Sequence, residues 1–380
     1  MKKLYFILGT QAELMKIFPV INAARNRGYD CKVIATGQND LYSCPYLAKA
    51  HAEVDIDITA RAAKSKSTSN YMGWFLNTAL HGRKILKSYF TAEQREKALC
   101  VVHGDTLTTA MGAWICKSLK LPYVHIESGP RSFNFLSPFP EEFDRLYGSM
   151  HSVMNFCPGQ IHADYAAKKF RGKAVNTVYN TGIETLYDAI NENGDSCHPA
   201  QPKEPYFMFM LHRQENIMRP AFIKCVAQKI AEAANEMPCV FIYHEQTKSR
   251  MEAAGVFNLL AEHPNVTLMP RQSYTNFICL VCHAEFIATD GCGNQQEFYY
   301  LGKPYLILRT AVEKDTEGLG WNAKVFNNDF EEIPRFVSEY HLYEKPRVVP
   351  TILPSTIIMD SIDCWFGASA THSKQQGVQP

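Results

Sequence analysis

The chain has 380 residues, of which 46% are hydrophobic and 20% are charged, a composition typical of a globular protein with two domains. Its 39 Lys and Arg residues balance 38 Asp and Glu residues to a formal net charge of +1. This balance excludes the basic surplus of a nucleic-acid-binding protein and the polybasic cluster that binds anionic membranes. Since no apolar run reaches the 18 or so residues that span a bilayer, we expect no integral membrane segment.

Short apolar runs alternate with amphipathic segments through the first half of the chain. Strands are predicted at residues 4–8, 31–36, 99–102 and 123–126. Helices are predicted at residues 12–27, 74–90 and 106–119. The stretch between residues 39 and 69 is predicted to be irregular.

A polar stretch with three prolines, residues 191–205, is typical of a linker. Beyond it, strands are predicted at residues 206–211, 240–243, 266–269, 286–288 and 305–308. Helices are predicted at residues 222–235, 248–254, 277–283 and 295–301. Repeated strand–helix units of this length predict an α/β protein with two doubly wound parallel sheets and a ligand cleft between the two lobes.

These elements predict four parts of the chain. Residues 1–190 form a first lobe that carries carboxylates, and residues 206–350 form a second, nucleotide-binding lobe. Residues 351–369 contain a C-terminal amphipathic helix, and residues 370–380 form a disordered tail.

Twelve cysteines are scattered along the chain, mostly in apolar strands and helices, as buried thiols are. We therefore expect reduced thiols and a cytoplasmic location. Cys279 and Cys282 form a CxxC motif, but no second pair completes a zinc site. Core packing is the favoured interpretation of this pair, and no metal site is predicted.

Polar side chains follow the predicted strands of the first lobe, at the edge where doubly wound sheets bind ligands. Gly9 leads into a helix N-terminus that could offer N–H groups to a phosphate, and Lys16 could reach the same anion. Asp105 and Glu127 each come directly after a strand, and Arg131 follows Glu127. The alternatives are a solvated helix lysine for Lys16 and a helix cap for Asp105.

Further candidates lie beyond these turns. Glu141 and Arg145 share one helical face, either as site residues or as a plain surface ion pair. In the second lobe, His212 follows a strand and is suited to titrate near neutral pH or to donate to a phosphate. A small-residue turn enters a helix in which Glu297 could accept hydrogen bonds from ribose hydroxyls. Together these residues suit a nucleotide diphosphate-sugar.

Seven ordered motifs resemble those of the UDP-N-acetylglucosamine 2-epimerase family, its non-hydrolysing and hydrolysing branches taken together. They are GTQAELMK (9–16), VHGDTLTT (102–109), HIESGPRSF (125–133), SPFPEEFDR (137–145), NTGIETLYDAI (180–190), LHRQEN (211–216) and TDGCGNQQEFYYLGKP (289–304). The resemblance spans about residues 4–323 and implies a GT-B-type fold with two Rossmann-like lobes.

By position, the resemblance implies catalytic roles for Lys16, Asp105, Glu127, Glu141, Arg145 and His212. It implies substrate or nucleotide binding by Gly9, Gln11, Arg131, Arg213, His244, Asp290, Gly291, Cys292, Gly293, Glu297, Arg309 and Glu313. Two departures stand out: Gln11 occupies a position where the family usually has arginine, and Gly291-Cys292-Gly293 replaces the usual Ser-Gly-Gly.

The family's chemistry inverts C2 of a UDP-HexNAc without a cofactor. A carboxylate removes the C2 proton while UDP leaves C1, and UDP then returns as C2 is reprotonated on the other face. The resemblance thus implies a UDP-sugar substrate, a homodimer and the supply of an N-acetylmannosamine-type donor for surface polysaccharide. The alternatives are a hydrolysing epimerase that releases free sugar and UDP, a GT-B glycosyltransferase, and a nucleotide-sugar sensor without turnover.

Overall fold

The computed structural model describes residues 2–60, 68–131, 140–193, 198–291, 293–309 and 322–376. The chain divides into two compact units, Met1–Thr185 with Pro350–Pro380, and Leu186–Val349. Each unit is built on one parallel sheet whose strands alternate with helices along the chain, which confirms the predicted fold class. Within the described residues, no helix is long and apolar enough to cross a membrane.

The described residues of the first unit form seven strands. They are β1 (Lys3–Leu8), β2 (Asp30–Ala35), β3 (Val54–Asp57), β4 (Ala98–His103), β5 (Tyr123–Ile126), β6 (Met154–Cys157) and β7 (Lys173–Asn176). Their order in the sheet is β3-β2-β1-β4-β5-β6-β7, and all neighbours are parallel. The chain direction across the sheet therefore reverses between β1 and β4, where doubly wound sheets bind ligands.

Helices of the first unit connect these strands. They are α1 (Gln11–Asn26), α2 (Pro45–Lys49), α3 (Thr68–Tyr89), α4 (Ala92–Glu96), α5 (Leu107–Leu119), α6 (Glu141–Met150), α7 (Gln160–Lys169) and α8 (Gly182–Asn193), which ends in the second unit. The last helix, α16 (Pro354–Gln376), extends past residue 370, where the disordered tail was predicted to begin, and packs on α1. Residues 377–380 of that predicted tail lie outside the described residues.

One prediction for this unit is wrong. The stretch between residues 39 and 69 contains α2, β3 and the start of α3, and residues 61–67 lie outside the description. β3 alternates Val and Ile with Asp because it lies at the sheet edge, where only part of the strand is buried. Its apolar signal is consequently weaker than that of the central strands β1 and β4.

In the second unit, the part of the chain that the structure describes forms six parallel strands. They are β8 (Phe207–Met210), β9 (Cys239–Tyr243), β10 (Val266–Pro270), β11 (Ile287–Thr289), β12 (Tyr305–Ile307) and β13 (Ala323–Val325). Its helices are α9 (Gln214–Ile217), α10 (Pro220–Glu236), α11 (Glu245–Ala253), α12 (Phe257–Ala261), α13 (Tyr274–His283), α14 (Gln295–Leu301) and α15 (Glu332–Glu339), followed by a 3-10 turn (Tyr340–Tyr343). The sheet order is β10-β9-β8-β11-β12-β13, so the reversal falls between β8 and β11.

Gly9 carries the chain from β1 into α1 through a crowded turn. The side chains of Thr36 and Thr108 lie where a Cβ on Gly9 would stand. The two hydroxyls are themselves hydrogen-bonded at 2.8 Å and buried, so neither moves aside without losing a partner. A glycine is therefore required for close packing at this position.

We expect Gly9→Ala to lower the free energy of unfolding of the first unit by about 1–3 kcal/mol, because the added methyl group overpacks the turn. Chemical denaturation measures the change. Gly73→Ala on α3 is the matched control, since a Cβ there meets nothing within 4 Å and alanine favours a helix. Equal stability of the two variants would contradict the packing argument.

Candidate active site

A buried carboxylate, Glu13, organises the turn after β1. Its Oε2 accepts hydrogen bonds from the N–H groups of Gly9 and Thr10, each at 2.7 Å, and its Oε1 accepts from the Thr106 hydroxyl. Burial raises the pKa of Glu13, although the bonds from Thr106 and Gly9 oppose the shift. The N–H groups of Gly9 and Thr10, which were predicted to bind a phosphate, thus donate to Glu13 instead.

Glu13 was not among the predicted site residues, although the sequence carried a signal for it. Thr10 caps α1 and accepts from the backbone N–H of Glu13, three residues on, while Glu13 returns a bond to Thr10. This reciprocal pattern is a capping box, readable from the Thr-x-x-Glu spacing. The contact of Glu13 with Thr106 across the sheet was not readable in that way.

Glu127 and Lys16 form an ion pair across the ends of β5 and α1. Lys16 Nζ lies 2.8 Å from Glu127 Oε2, and His103 Nε2 at the end of β4 lies 3.3 Å from the same oxygen. Burial alone would raise the pKa of Glu127, but Lys16, His103 and Asn180 together hold it well below its ordinary value. Glu127 is therefore an ionised, buried carboxylate at neutral pH.

The backbone of Glu127 is unusual. Its φ is +64°, in the left-handed region that a residue with a Cβ rarely adopts. Such strain is found mainly where the surrounding structure holds a residue in place for function. The strand end therefore directs this carboxylate toward Lys16 and His103 at a cost in backbone energy.

A second cluster of charges joins the turn after β4 to α6. Arg145 on α6 forms an ion pair with Asp105, which begins the turn into α5. Glu141, the first residue of α6, is exposed, whereas Asp144 one turn later is only 3% exposed. Burial, with the nearby carboxylates of Asp105 and Glu141, raises the pKa of Asp144 to about 8.

Two opposing effects act on the charge of Asp144. The helix N-terminus favours an anion by about 0.3–1 kcal/mol, and by about 2 kcal/mol in the best buried cases. Desolvating an unpaired carboxylate costs several kcal/mol, and two neighbouring carboxylates add repulsion. The protonated form of Asp144 is consequently favoured at neutral pH.

A neutral histidine, His125, forms hydrogen bonds that hold the turn before Asp105. Burial lowers the pKa of His125 to about 3, so its ring is uncharged. Because the Gly104 carbonyl can only accept, His125 Nε2 donates to it at 2.8 Å, which leaves Nδ1 to accept from the Ser149 hydroxyl at 2.9 Å. These bonds tie the turn before Asp105 to α6.

Two predicted binding residues of the first unit are engaged in contacts within the protein. The guanidinium of Arg131 pairs with the buried Glu142 and donates to the Tyr165 hydroxyl. The amide of Gln11 donates to the Asp40 carbonyl at 2.8 Å. Arg131 therefore links the turn after β5 to α6 and α7. Gln11 links the start of α1 to the loop after β2.

In the second unit, Asp290 at the end of β11 anchors the turn after β8. Its carboxylate accepts from the N–H of His212 at 2.9 Å, the N–H of Arg213 at 3.0 Å and Asn216 Nδ2 at 3.1 Å. The side chain is fully buried. Asp290 was predicted to bind substrate or nucleotide, but its position indicates that it shapes the His212 turn.

His212 and His244 stack at the ends of neighbouring strands, with ring centroids 5.2 Å apart. Burial, His212 and Arg271 together lower the pKa of His244. A Cβ on Gly291 would stand 2.6 Å from His212 Cε1, so the glycine leaves room for the imidazole. His212, His244 and Arg213, which follows His212 directly, thus supply nitrogen donors suited to an anion at this edge of the sheet.

Glu297 lies in the first turn of α14 and is largely buried. Tyr274 donates to its Oε1 at 3.3 Å. The turn before α14 is closed by the Gln295 amide, which donates to the Gly291 carbonyl at 3.3 Å. Among the described residues, no atom lies within 4 Å of the point where a Cβ on Gly293 would stand.

The remaining predicted binding residues lie beside these turns or outside the described residues. Arg309 follows β12, and its carbonyl accepts from the N–H of Asn327 at 3.2 Å. Cys292 and Glu313 lie outside the described residues. Within the described parts of the chain, no group of three or more His, Cys, Asp or Glu side chains is arranged to hold a metal ion.

Known proteins of one family match this chain over most of its length. Residues 22–341 match the family model described as UDP-N-acetylglucosamine 2-epimerase. The UDP-N-acetylglucosamine 2-epimerase of Methanocaldococcus jannaschii is 27% identical over 343 residues, which cover 86% of this chain and 89% of that protein. The enzyme of the same name from Salmonella borreze is 27% identical over 365 residues, covering 91% and 93%.

A solved structure shares the fold. The crystal structure of UDP-GlcNAc 2-epimerase from Neisseria meningitidis bound to UDP-GlcNAc has a TM-score of 0.74 at 23% identity, covering 95% of this chain and 99% of that chain. On the family match over most of its length, this chain belongs to the UDP-N-acetylglucosamine 2-epimerase family.

Proposed function

We propose that this protein is a 2-epimerase of UDP-GlcNAc or a related UDP-HexNAc. The observation that carries the proposal is the ionised carboxylate of Glu127, held by Lys16 and His103 at the reversal point of the first sheet. Such a group, in a site with several further carboxyl groups, can act as a base once its ion pair with Lys16 is weakened. The Neisseria meningitidis relative bound to UDP-GlcNAc supports the choice of substrate.

The reaction needs two proton transfers at C2 and the departure and return of UDP at C1. One carboxylate removes the C2 proton as the C1–O bond breaks, which leaves a glycal and UDP. UDP then adds back to C1, and an acid protonates C2 on the opposite face. We assign the two proton transfers to Glu127 and Asp105, which follow adjacent strands and each have a cationic partner, with exposed Glu141 as the third candidate.

The low pKa of Glu127 makes it a weak base in the free enzyme. An anionic group of the substrate that binds the Lys16 ammonium competes with Glu127 for it. Once that partner is drawn away, the largest effect opposing burial is removed, so the pKa of Glu127 rises and its carboxylate becomes a stronger base. Substrate binding would thus activate the residue that removes the proton.

We assign nucleotide binding to the second unit. His212, His244 and Arg213 supply donors for the negative charge that develops on departing UDP. We assign to Glu297 the acceptance of hydrogen bonds from the ribose hydroxyls. Arg131, Gln11 and Asp290 are assigned supporting roles, on account of their contacts within the protein.

Location, assembly and biological role are further parts of the proposal. All ten described cysteines are free, which favours a reducing compartment such as the cytoplasm. Leu76 and Leu80 are more than half exposed one turn apart on α3, which favours a homodimer contact on that helix. The epimerised UDP-sugar would supply an N-acetylmannosamine-type unit for surface polysaccharide.

Product analysis tests the proposed reaction. We expect incubation with UDP-GlcNAc to yield an equilibrium mixture with its C2 epimer, because glycal formation is reversible while UDP stays bound. Chromatography and NMR of the products identify the sugars. Free HexNAc with UDP would instead indicate the hydrolysing branch, and transfer of the sugar to an added glycan without epimerisation would indicate a glycosyltransferase. Bound but unchanged UDP-GlcNAc would contradict all three.

A further inference from the structure

Asp144 is a buried carboxyl group that the proposed reaction does not use. Its side chain is 3% exposed, and within the described part of the chain its Oδ2 has no hydrogen-bond partner. It lies one turn after Glu141 and directly before Arg145, the residue that binds Asp105. A carboxylate in such a place would be both desolvated and unpaired.

The charged groups that act on Asp144 are carboxylates. Asp105, in the turn after β4, and Glu141 bring negative charge, and Arg145 is engaged with Asp105. On the same helix, Glu142 is paired with Arg131 of the turn after β5. No described cation is thus dedicated to Asp144.

The elements packed against α6 add no compensating charge. On β5, His125 is neutral because burial lowers its pKa, and Tyr123 is neutral because burial raises its pKa. On α5, contact with Cys100 together with burial raises the pKa of Cys116, and Lys117 contacts His151 at 2.7 Å at the other end of α6. The charge state of Asp144 is therefore determined by its burial and by two neighbouring carboxylates.

We propose that Asp144 carries a proton in the active enzyme and acts as a positioning residue, leaving the Arg145 guanidinium to Asp105. When Asp144 loses that proton, its negative charge repels the neighbouring Asp105 carboxylate, which Arg145 holds. The Asp105 carboxyl group then loses its fixed position and its charge balance. This inference rests on the proposed function in one respect only, namely that Asp105 takes part in the reaction.

The charge of Asp144 is tested without any substrate. Its pKa is about 8 in the folded protein and 3.8 is the ordinary value, so the folded state holds one more proton between those pH values. The contribution of Asp144 to wild-type stability therefore falls as pH rises from about 4 to about 8, and this contribution is absent in Asp144→Asn. We expect the Tm of Asp144→Asn minus that of wild type to grow over this range and then level off.

Asp164→Asn on α7 is the matched control, because Asp164 is an exposed carboxyl group in the same unit. Its Tm difference from wild type should stay flat from pH 5 to pH 9. A flat difference for Asp144→Asn as well would overturn the proposal. If Asp144→Asn does not fold, Asp144→Ser, a smaller neutral residue, is measured in the same way and judged by the same criterion.

The positioning role is tested by the pH profile of kcat/KM with UDP-GlcNAc. We expect wild-type kcat/KM to fall about tenfold per pH unit above about pH 8, and this alkaline limb to disappear or move up by at least one unit in Asp144→Asn. An unchanged limb with a pH-dependent Tm difference would overturn the positioning role. Absence of turnover in wild type would refute the proposed function, while the Tm series would still decide the charge of Asp144.

Discussion

We expect Glu127→Gln to lower the rate of epimerisation by about 10²–10⁴-fold, because an amide cannot accept the C2 proton. Gln has the same shape as Glu, so its side chain can keep the contact with His103 while losing the charge that attracts Lys16. The loss should appear in kcat and kcat/KM alike, as expected for an interaction made in the transition state. Steady-state kinetics with UDP-GlcNAc measure it.

Asp164→Asn is again the matched control for this variant, since it also converts a carboxyl group to an amide in the first unit. Its rate should be unchanged because its side chain lies exposed on α7 and accepts from Gln160. Unfolding curves of both variants verify that the fold is kept. A Glu127→Gln enzyme within about threefold of wild type would remove Glu127 from the proton-transfer step.

We expect Asp290→Ala to lower the free energy of unfolding of the second unit by about 3–5 kcal/mol and to abolish measurable UDP binding. The alanine leaves the N–H groups of His212 and Arg213 and the amide of Asn216 without their buried acceptor. The turn that presents His212 then loses its anchor. Chemical denaturation and calorimetric titration with UDP measure the two effects.

Asp290→Asn separates anchoring from direct contact with the nucleotide. Its one carbonyl oxygen can replace part of the acceptor set, so both stability and UDP affinity should fall between those of wild type and Asp290→Ala. If Asp290 instead contacts the ligand, UDP binding would be lost in both variants while stability stayed at the wild-type value. That result would contradict the anchoring role.

The sequence was most informative where strands are buried on both faces. β1 and β4 lie in the middle of the first sheet, and their continuous apolar runs allowed both to be predicted near their observed bounds. The edge strands β3 and β7 contain Asp or Lys and Asn, because one side of each is open, and neither was predicted. The interior strand β6 was not predicted either, whereas the edge strand β10 was, so position in the sheet explains only part of the difference.

Most residues of the candidate site could be predicted from the sequence, but their contacts with one another could not. Lys16 and Glu127 were both predicted, yet they are 111 residues apart in sequence, and their pairing depends on strand order and on the left-handed φ of Glu127. Asp144 was quoted within a motif but not selected, because its burial is set by how α6 packs on α5 and β5. Asp290 was predicted to bind substrate or nucleotide, but its three hydrogen-bond donors, from residues that follow β8, could not be predicted from the sequence.

The central claim is that this protein breaks and remakes the C2–H bond of a UDP-HexNAc. Incubation with UDP-GlcNAc in deuterated water, followed by NMR of the recovered sugars, tests it directly. The account predicts deuterium at C2 of the epimer formed by the wild-type enzyme, and none above background with Glu127→Gln. Consumption of UDP-GlcNAc by the wild-type enzyme with no deuterium at C2 of any product would contradict it.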